Sequence, residues 1–396
     1  MLSRRTVLKA GLGAAGAAAF WGATTTAATA SPAWPPVHGG NPAASRALQS
    51  WAALQRYVLA DDGSNLVHET YPAQSGDPAY GYEWSHSQVH VAALDLVAMR
   101  SSGAARAALA SLAAGQEHYW EATSTSGKPG YASGAQAPYG SSGDLFYDDN
   151  AWVGLEKVQL FLMTRDRAAL QRAEQIFALL QSGWDNDPTH ADPGGVFWTQ
   201  ASWSQDRNTV SNMPTALLGA RLYAITRNRD YLTGALRSYD WTNKYLLDSD
   251  GLYFDHVSLD GTVEKTKWSY NQGIPLAAAY ALYLATHDRA YLNHAVDVAE
   301  ASYSYYVGAG TIGQQPIYFN SIYFKSMLLL ASATHSGKYY DAMSDYGDLL
   351  WISRRDASTG LFSQDISGAT KALEQGAAVQ IYATLASRPS NWSQLY

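Results

Sequence analysis

Cysteine is absent from this 396-residue chain. Its absence excludes disulfides, a thiolate nucleophile and every zinc site built on cysteine, and leaves the fold to stand on its core alone. Charge is also sparse: 15% of residues are charged and 47% are hydrophobic, enough apolar sequence for a large buried core. Basic residues are the minority, with 27 Lys and Arg against 34 Asp and Glu and a net charge of −7. Neither a nucleic-acid surface nor a polybasic membrane patch is expected. Chemical motifs are missing too. No phosphate-cradling glycine loop, dinucleotide-binding fingerprint or Gly-x-Ser-x-Gly elbow occurs, and no cofactor is expected. His86 and His90 are spaced as a helical metal pair, but the glutamate of the zinc-protease pattern and a third ligand are lacking. Asp185-Asn186-Asp187-Pro188 lacks the glycine and distal glutamate of a calcium loop. No metal is expected. Strand-like sequence is limited to Gly251-Leu252-Tyr253-Phe254-Asp255-His256-Val257 and Gly195-Val196-Phe197-Trp198.

Aromatic residues, in contrast, are plentiful, with 13 Trp and 27 Tyr against only 9 Phe. Trp and Tyr join a flat apolar face to a polar handle, which suits both helix packing and stacking against sugars. The first thirty residues stand apart. Ser3-Arg4-Arg5-Thr6-Val7-Leu8-Lys9 resembles a twin-arginine export signal; an Ala/Gly-rich apolar run and the small residues Ala28-Thr29-Ala30 follow it. Residues 1–30 are therefore expected to be a cleaved signal and 31–41 a linker. The chain is expected to act outside the cell or in its envelope, as a monomer with no stable membrane insertion.

The rest of the chain, 42–396, reads as one domain built from a repeat. Thr164-Arg165-Asp166-Arg167, Thr226-Arg227-Asn228-Arg229, Thr286-His287-Asp288-Arg289 and Thr334-His335-Ser336-Gly337 are four versions of one polar turn, each between two apolar stretches. The spacing is roughly 50 to 62 residues, natural for helix hairpins joined by long loops. Charged amphipathic helices are expected from near Pro42, Ala104, Asp166, Asn228, Asp288 and Gly337, and more apolar ones from near Trp84, Tyr147, Asn208, Trp268, Asn320 and Ala372. These make six antiparallel pairs. Closed on themselves, with apolar helices inside and charged helices outside, they form an all-α (α/α)6 barrel. All the long loops then lie on one face, where the segments that open the inner helices converge on a pocket. Trp84, His86, Tyr147, Trp152, Asn212 and Tyr270 become candidates to line it.

One of those segments, Phe146-Tyr147-Asp148-Asp149-Asn150-Ala151-Trp152, carries two adjacent carboxyls at a helix start. Neighbouring residues have Cα atoms ~3.8 Å apart, so the carboxyl groups can sit about 5 Å apart, the separation used for retaining cleavage of a glycosidic bond. The helix N-terminus favours an ionised member, and mutual repulsion favours a protonated one. Helix capping explains the same pair of residues equally well.

The chain resembles glycoside hydrolase family 76, the endo-α-1,6-mannanases, through Tyr147-Asp148-Asp149-Asn150-Ala151-Trp152, Gly194-Gly195-Val196-Phe197-Trp198, Tyr270-Asn271-Gln272-Gly273, Phe324-Lys325 and Glu374-Gln375-Gly376-Ala377-Ala378-Val379. The resemblance implies the same barrel and retaining hydrolysis of α-1,6-mannosidic bonds, with α-mannan as the substrate. It makes Asp148 the nucleophile and Asp149 the acid/base, and nominates Trp198, Asp255, Asn271 and Gln272 to bind sugar. Other carbohydrate activities on this barrel would need different groups. An epimerase would draw on His86 and His90, and an unsaturated-uronyl hydrolase on cations such as Lys267 and Lys325. A glycan-binding protein that kept the barrel without catalysis is a further alternative.

Overall fold

The computed structural model describes residues 42–99, 103–365 and 368–396. The expected signal and linker, 1–30 and 31–41, lie outside the described residues. Twelve α-helices follow in chain order: α1 (Pro42–Tyr57), α2 (Glu83–Met99), α3 (Gly103–Gln116), α4 (Tyr147–Thr164), α5 (Arg167–Ser182), α6 (Thr209–Thr226), α7 (Arg229–Tyr245), α8 (Tyr270–Thr286), α9 (Arg289–Ser302), α10 (Ile317–Thr334), α11 (Lys338–Ser353) and α12 (Ala372–Ala386). The even-numbered helices pack in sequence and close as a ring, α12 against α2. Each odd-numbered helix backs one of them, with α1 completing the last pair against α12. The architecture is an (α/α)6 barrel.

The repeated turn has a local cause. Arg165, Arg227, His287 and His335 each adopt positive φ at the end of an inner helix, ending it in a left-handed cap. Asp166, Asn228 and Asp288 then accept a hydrogen bond from the backbone N–H two residues on, opening the outer helix. The fourth version keeps the left-handed residue but puts Gly337 at the cap, with no side chain to bond. The inner helix α10 begins three residues earlier than its sequence suggests, at Ile317, because Pro316 sits at its N-cap.

Among the described residues three small antiparallel sheets decorate the loop face. β1 (Thr70–Tyr71) pairs with the distant β7 (Thr370–Lys371) and ties the first long loop to the last. β2 (Trp120–Glu121) pairs with β3 (Gly130–Tyr131), and β4 (Asp206–Asn208), β5 (His256–Ser258) and β6 (Val263–Glu264) form a three-stranded sheet. The expected strand sequence at 251–257 supplies the start of β5, while Val196 and Phe197 make only isolated bridges to Trp184 and Arg207.

A polar network fills the barrel interior below that face. The buried Lys325 ammonium lies 3.5 Å from Asp95 and donates to Gln380, and Gln159 donates to the other Asp95 oxygen. Glu156 bridges His90 and Lys157 at 2.9 and 3.0 Å. Burial would push the Glu156 carboxyl up, but those two partners outweigh it and hold it down at about 2. No helix among the described residues is long and apolar enough to cross a membrane.

Candidate active site

A polar side chain in the first turn of every inner helix anchors a neighbouring backbone. In α4, Asn150 accepts from the Tyr131 N–H at 2.8 Å and donates to Tyr131 O and Phe146 O. In α6, Asn212 accepts from Val196 N–H at 2.7 Å and donates to Val196 O and Asn208 O. Gln272 of α8 repeats the bracket on Tyr253, and Gln375 of α12 accepts from Phe362 N–H while donating to Ser50 O. Asn320 of α10 donates to Ile312 O, and His86 of α2 pairs its Nε2 with Leu112 O at 2.8 Å. The six positions are equivalent in the repeat. Each fastens a long loop or a neighbouring helix end, so the loop face is held in place from below.

These bonds reassign three sequence candidates. Asn212, Gln272 and His86 are fully buried. The two amides are committed to backbone, and burial lowers the His86 imidazole to about 4, so it is neutral at ordinary pH. Two aromatic candidates move as well. Trp152 is 1% exposed and lies in the core between Tyr270 and Tyr396, with ring centroids 6.4 and 6.1 Å away. The buried Tyr147 ring packs on Gly183, where a Cβ would come within 2.4 Å of the ring, so only glycine allows that approach. Its backbone N–H donates to Trp198 O.

The remaining candidates come together. Asp148 and Asp149 occupy the first turn of α4, and the N-cap residue, Phe146, has no capping side chain. Asp148 Oδ2 accepts a hydrogen bond from the Trp198 indole N–H at 3.0 Å. Trp198 also meets Phe146 edge to face, at 5.1 Å between centroids. Two helices along the ring, Asn271 donates to Asp255 Oδ1 at 3.1 Å. Tyr270 lies beside it, its ring stacked flat on Phe319 at 3.8 Å and 6°. Burial pushes the Tyr270 hydroxyl well above its ordinary value, and nearby Asp255, Asp148, Tyr318 and Asp149 add to the effect. A neutral hydroxyl therefore sits within the field of three carboxylates from two different segments. Trp84, half-buried, extends the aromatic floor through Tyr318 and Phe319 at 5.5 and 6.3 Å.

Two functional neighbours carried no sequence signal of their own. His256 Nδ1 lies 3.0 Å from Asp255 Oδ2, and its Nε2 lies 3.9 Å from Asp206 Oδ2. The pairing of β4 with β5 sets this geometry by placing Asn208 opposite His256. Phe319, the stacking partner of Tyr270, sat in a segment read as loop. Only adjacency could have suggested His256, which follows the nominated Asp255 directly.

The groups that other barrel chemistries would need are engaged elsewhere. Lys267 binds Asp248 and Asp250 at 2.7 and 2.6 Å, and Lys325 lies in the barrel interior on Asp95. His86 and His90 are buried, on Leu112 O of α3 and on Glu156. Among the described residues no group of three or more His, Asp and Glu is placed to hold a metal ion.

Known proteins resemble this chain in sequence and fold. The sequence profile described as glycosyl hydrolase family 76 matches residues 115–338. Mannan endo-1,6-alpha-mannosidase DCW1 of Candida albicans is 30% identical over 170 residues, which cover 39% of this chain and 37% of that protein. The chain thus spans little more than a third of that curated relative's length. In three dimensions, a family 76 glycoside hydrolase from a bovine Bacteroides thetaiotaomicron strain superposes with a TM-score of 0.76 and 25% identity, covering 88% of this chain and 78% of that one. An alpha-1,6-mannanase of Salegentibacter sp. HEL1_6, seen as an inactive variant with two consecutive aspartates changed and alpha-1,6-mannotriose bound, has the same fold (TM-score 0.70, 18% identity, 87% of this chain and 99% of that one). With the family profile matching more than half of its length, the chain belongs to glycosyl hydrolase family 76.

Proposed function

We propose that this protein is an exported, monomeric retaining glycoside hydrolase that cleaves α-1,6-mannosidic linkages in mannan. The observation that carries the reading is the Asp148–Asp149 pair in the first turn of α4, with one Asp148 oxygen held by the Trp198 indole. The inactive mannanase of the same fold, altered at two consecutive aspartates, supports it.

Asp148 acts as the nucleophile. Its carboxylate gains from the positive end of α4 and is oriented by the Trp198 N–H. As it attacks the anomeric carbon, the protonated Asp149 gives its proton to the departing glycosidic oxygen; the C–O bond breaks and a glycosyl ester on Asp148 forms. In the second half, the Asp149 carboxylate takes a proton from water, the water oxygen attacks the anomeric carbon, and the ester to Asp148 breaks. Two displacements return the original anomeric configuration. Adjacent residues hold their carboxyls too close for a water between them, which favours this course over single-step inversion. Tyr270, Asp255 and Asn271 provide hydroxyl, carboxylate and amide groups for the sugar hydroxyls, and Trp84 an apolar face.

Incubation with linear α-1,6-mannan, product sizing and anomeric NMR of the first product together test the reading. Mannose oligomers released as α-anomers are expected. A β-anomeric first product would overturn retention, and no release from α-1,6-mannan would overturn the substrate.

A further inference from the structure

We propose that the exposed indole of Trp203 is a stacking subsite for a mannosyl unit beyond the one bound at Asp148 and Asp149. The proposal rests on the mannanase reading and extends it to how the enzyme grips a longer chain. Among the described residues Trp203 is the only exposed tryptophan, at 51%. A lone exposed apolar side chain is ordinary; this one is held in a fixed pose. Its Nε1–H donates to Asp144 Oδ2 at 3.1 Å. Its ring meets Trp198 edge to face at 5.9 Å and 81°, and Phe146 at 6.0 Å. Trp198 is the ring whose N–H holds Asp148. One aromatic ring therefore separates the exposed indole from a candidate catalytic carboxylate.

The loop that carries Trp203 is fastened to the segment leading into α4. Thr199 Oγ1 donates to Leu145 O at 2.7 Å, and the Gln200 N–H donates to the same oxygen at 3.0 Å. Within the loop, the Thr199 N–H reaches Ser204 Oγ and the Ser204 N–H reaches Ala201 O. Gln200 further bonds Thr125 and Ser126 of the neighbouring loop. The Trp203 position is thus set by the same backbone that sets Asp148. With its N–H already engaged, the indole offers an apolar face to solvent, and a pyranose ring presents a complementary face of C–H groups. A held ring binds with little loss of side-chain freedom.

The test measures kcat/KM on linear α-1,6-manno-oligosaccharides of increasing length, for the wild type, Trp203→Ala and Trp203→Phe. The expected result is a fall in the long-to-short ratio of kcat/KM by about two- to tenfold in Trp203→Ala. Trp203→Phe should keep part of the advantage, with a melting temperature close to the wild type's, because a phenyl ring retains contacts with Trp198 and Phe146. An equal loss at every length would overturn the proposal, since the ring would then act through Trp198 on the chemistry. No loss at any length would overturn it as well. A wild type that cleaves no α-1,6-mannan sinks the mannanase reading itself, whereas an active wild type matched by Trp203→Ala sinks only the subsite.

Discussion

Asn212 separates a loop anchor from a sugar ligand in one substitution. Its amide makes three hydrogen bonds to backbone: one from Val196 N–H at 2.7 Å and two to Val196 O and Asn208 O at 3.2 and 2.9 Å. Val196 and Asn212 are both 0% exposed, so water cannot replace what Asn212→Ala removes. An orphaned buried donor costs about 1–3 kcal/mol, and each lost bond to a carbonyl about 1 kcal/mol. The total is roughly 3–5 kcal/mol, a large share of a typical folding free energy of about 5–15 kcal/mol. For a chain of this size that lowers the melting temperature by about 4–7 °C. Calorimetry should find that drop. Below the transition, KM for α-1,6-mannan should change less than about twofold, the range left to a side chain that makes no substrate contact. Asn212→Asp should be worse than alanine, because a carboxylate would face two carbonyl oxygens. An unchanged melting temperature with a KM raised tenfold would refute the reasoning and return Asn212 to the substrate.

Three other outcomes follow from the same interactions. Trp198→Phe keeps the edge contacts with Phe146 and Trp203 but loses the N–H on Asp148, so kcat should fall about ten- to a hundredfold with the fold intact, as circular dichroism and steady-state kinetics would show. Burial lowers His86 from 6.5 to about 4 in the folded state. The unfolded chain therefore binds more protons between those values, and stability present above pH 6.5 is lost as pH falls toward 4, by about 3 kcal/mol. Denaturation of His86→Gln, which keeps a donor for Leu112 O, should show a flatter profile across that window. Lys325→Met leaves Asp95 buried without its cation and should cost about 3–5 kcal/mol, while adding Asp95→Asn should recover most of it in urea titrations.

The barrel was legible because its punctuation is local. A threonine and a residue able to adopt positive φ recur at four of the turns, three of them with a capping Asp or Asn, and those groups fold the same way wherever they occur. Asp148 and Asp149 stood out by type and by their place on the loop face; Asp255 and Asn271 were nominated through the family resemblance, and their pairing comes from the fold. The anchors were not. Asn212, Gln272 and His86 carry the donors and acceptors that a sugar would want, on the helix turn that opens the pocket. Only the position of the preceding loop decides that the amides bond Val196 and Tyr253 instead, and only the packing of α3 against α2 gives His86 the Leu112 carbonyl. Trp152 lies one turn beyond Asp148, and depth, which sequence spacing does not report, sends it into the core beside Tyr396. His256 depended on the register of β4 with β5, a contact between segments about fifty residues apart that no local pattern specifies.

The measurement closest to the central claim is the initial rate of oligomer release from linear α-1,6-mannan by Asp148→Asn and Asp149→Asn. Each variant keeps the shape of its side chain and removes the charge or the proton. Both should release oligomers at least roughly a thousandfold more slowly than the wild type, with melting temperatures close to the wild type's. Full activity in either one would contradict the assignment of catalysis to this pair.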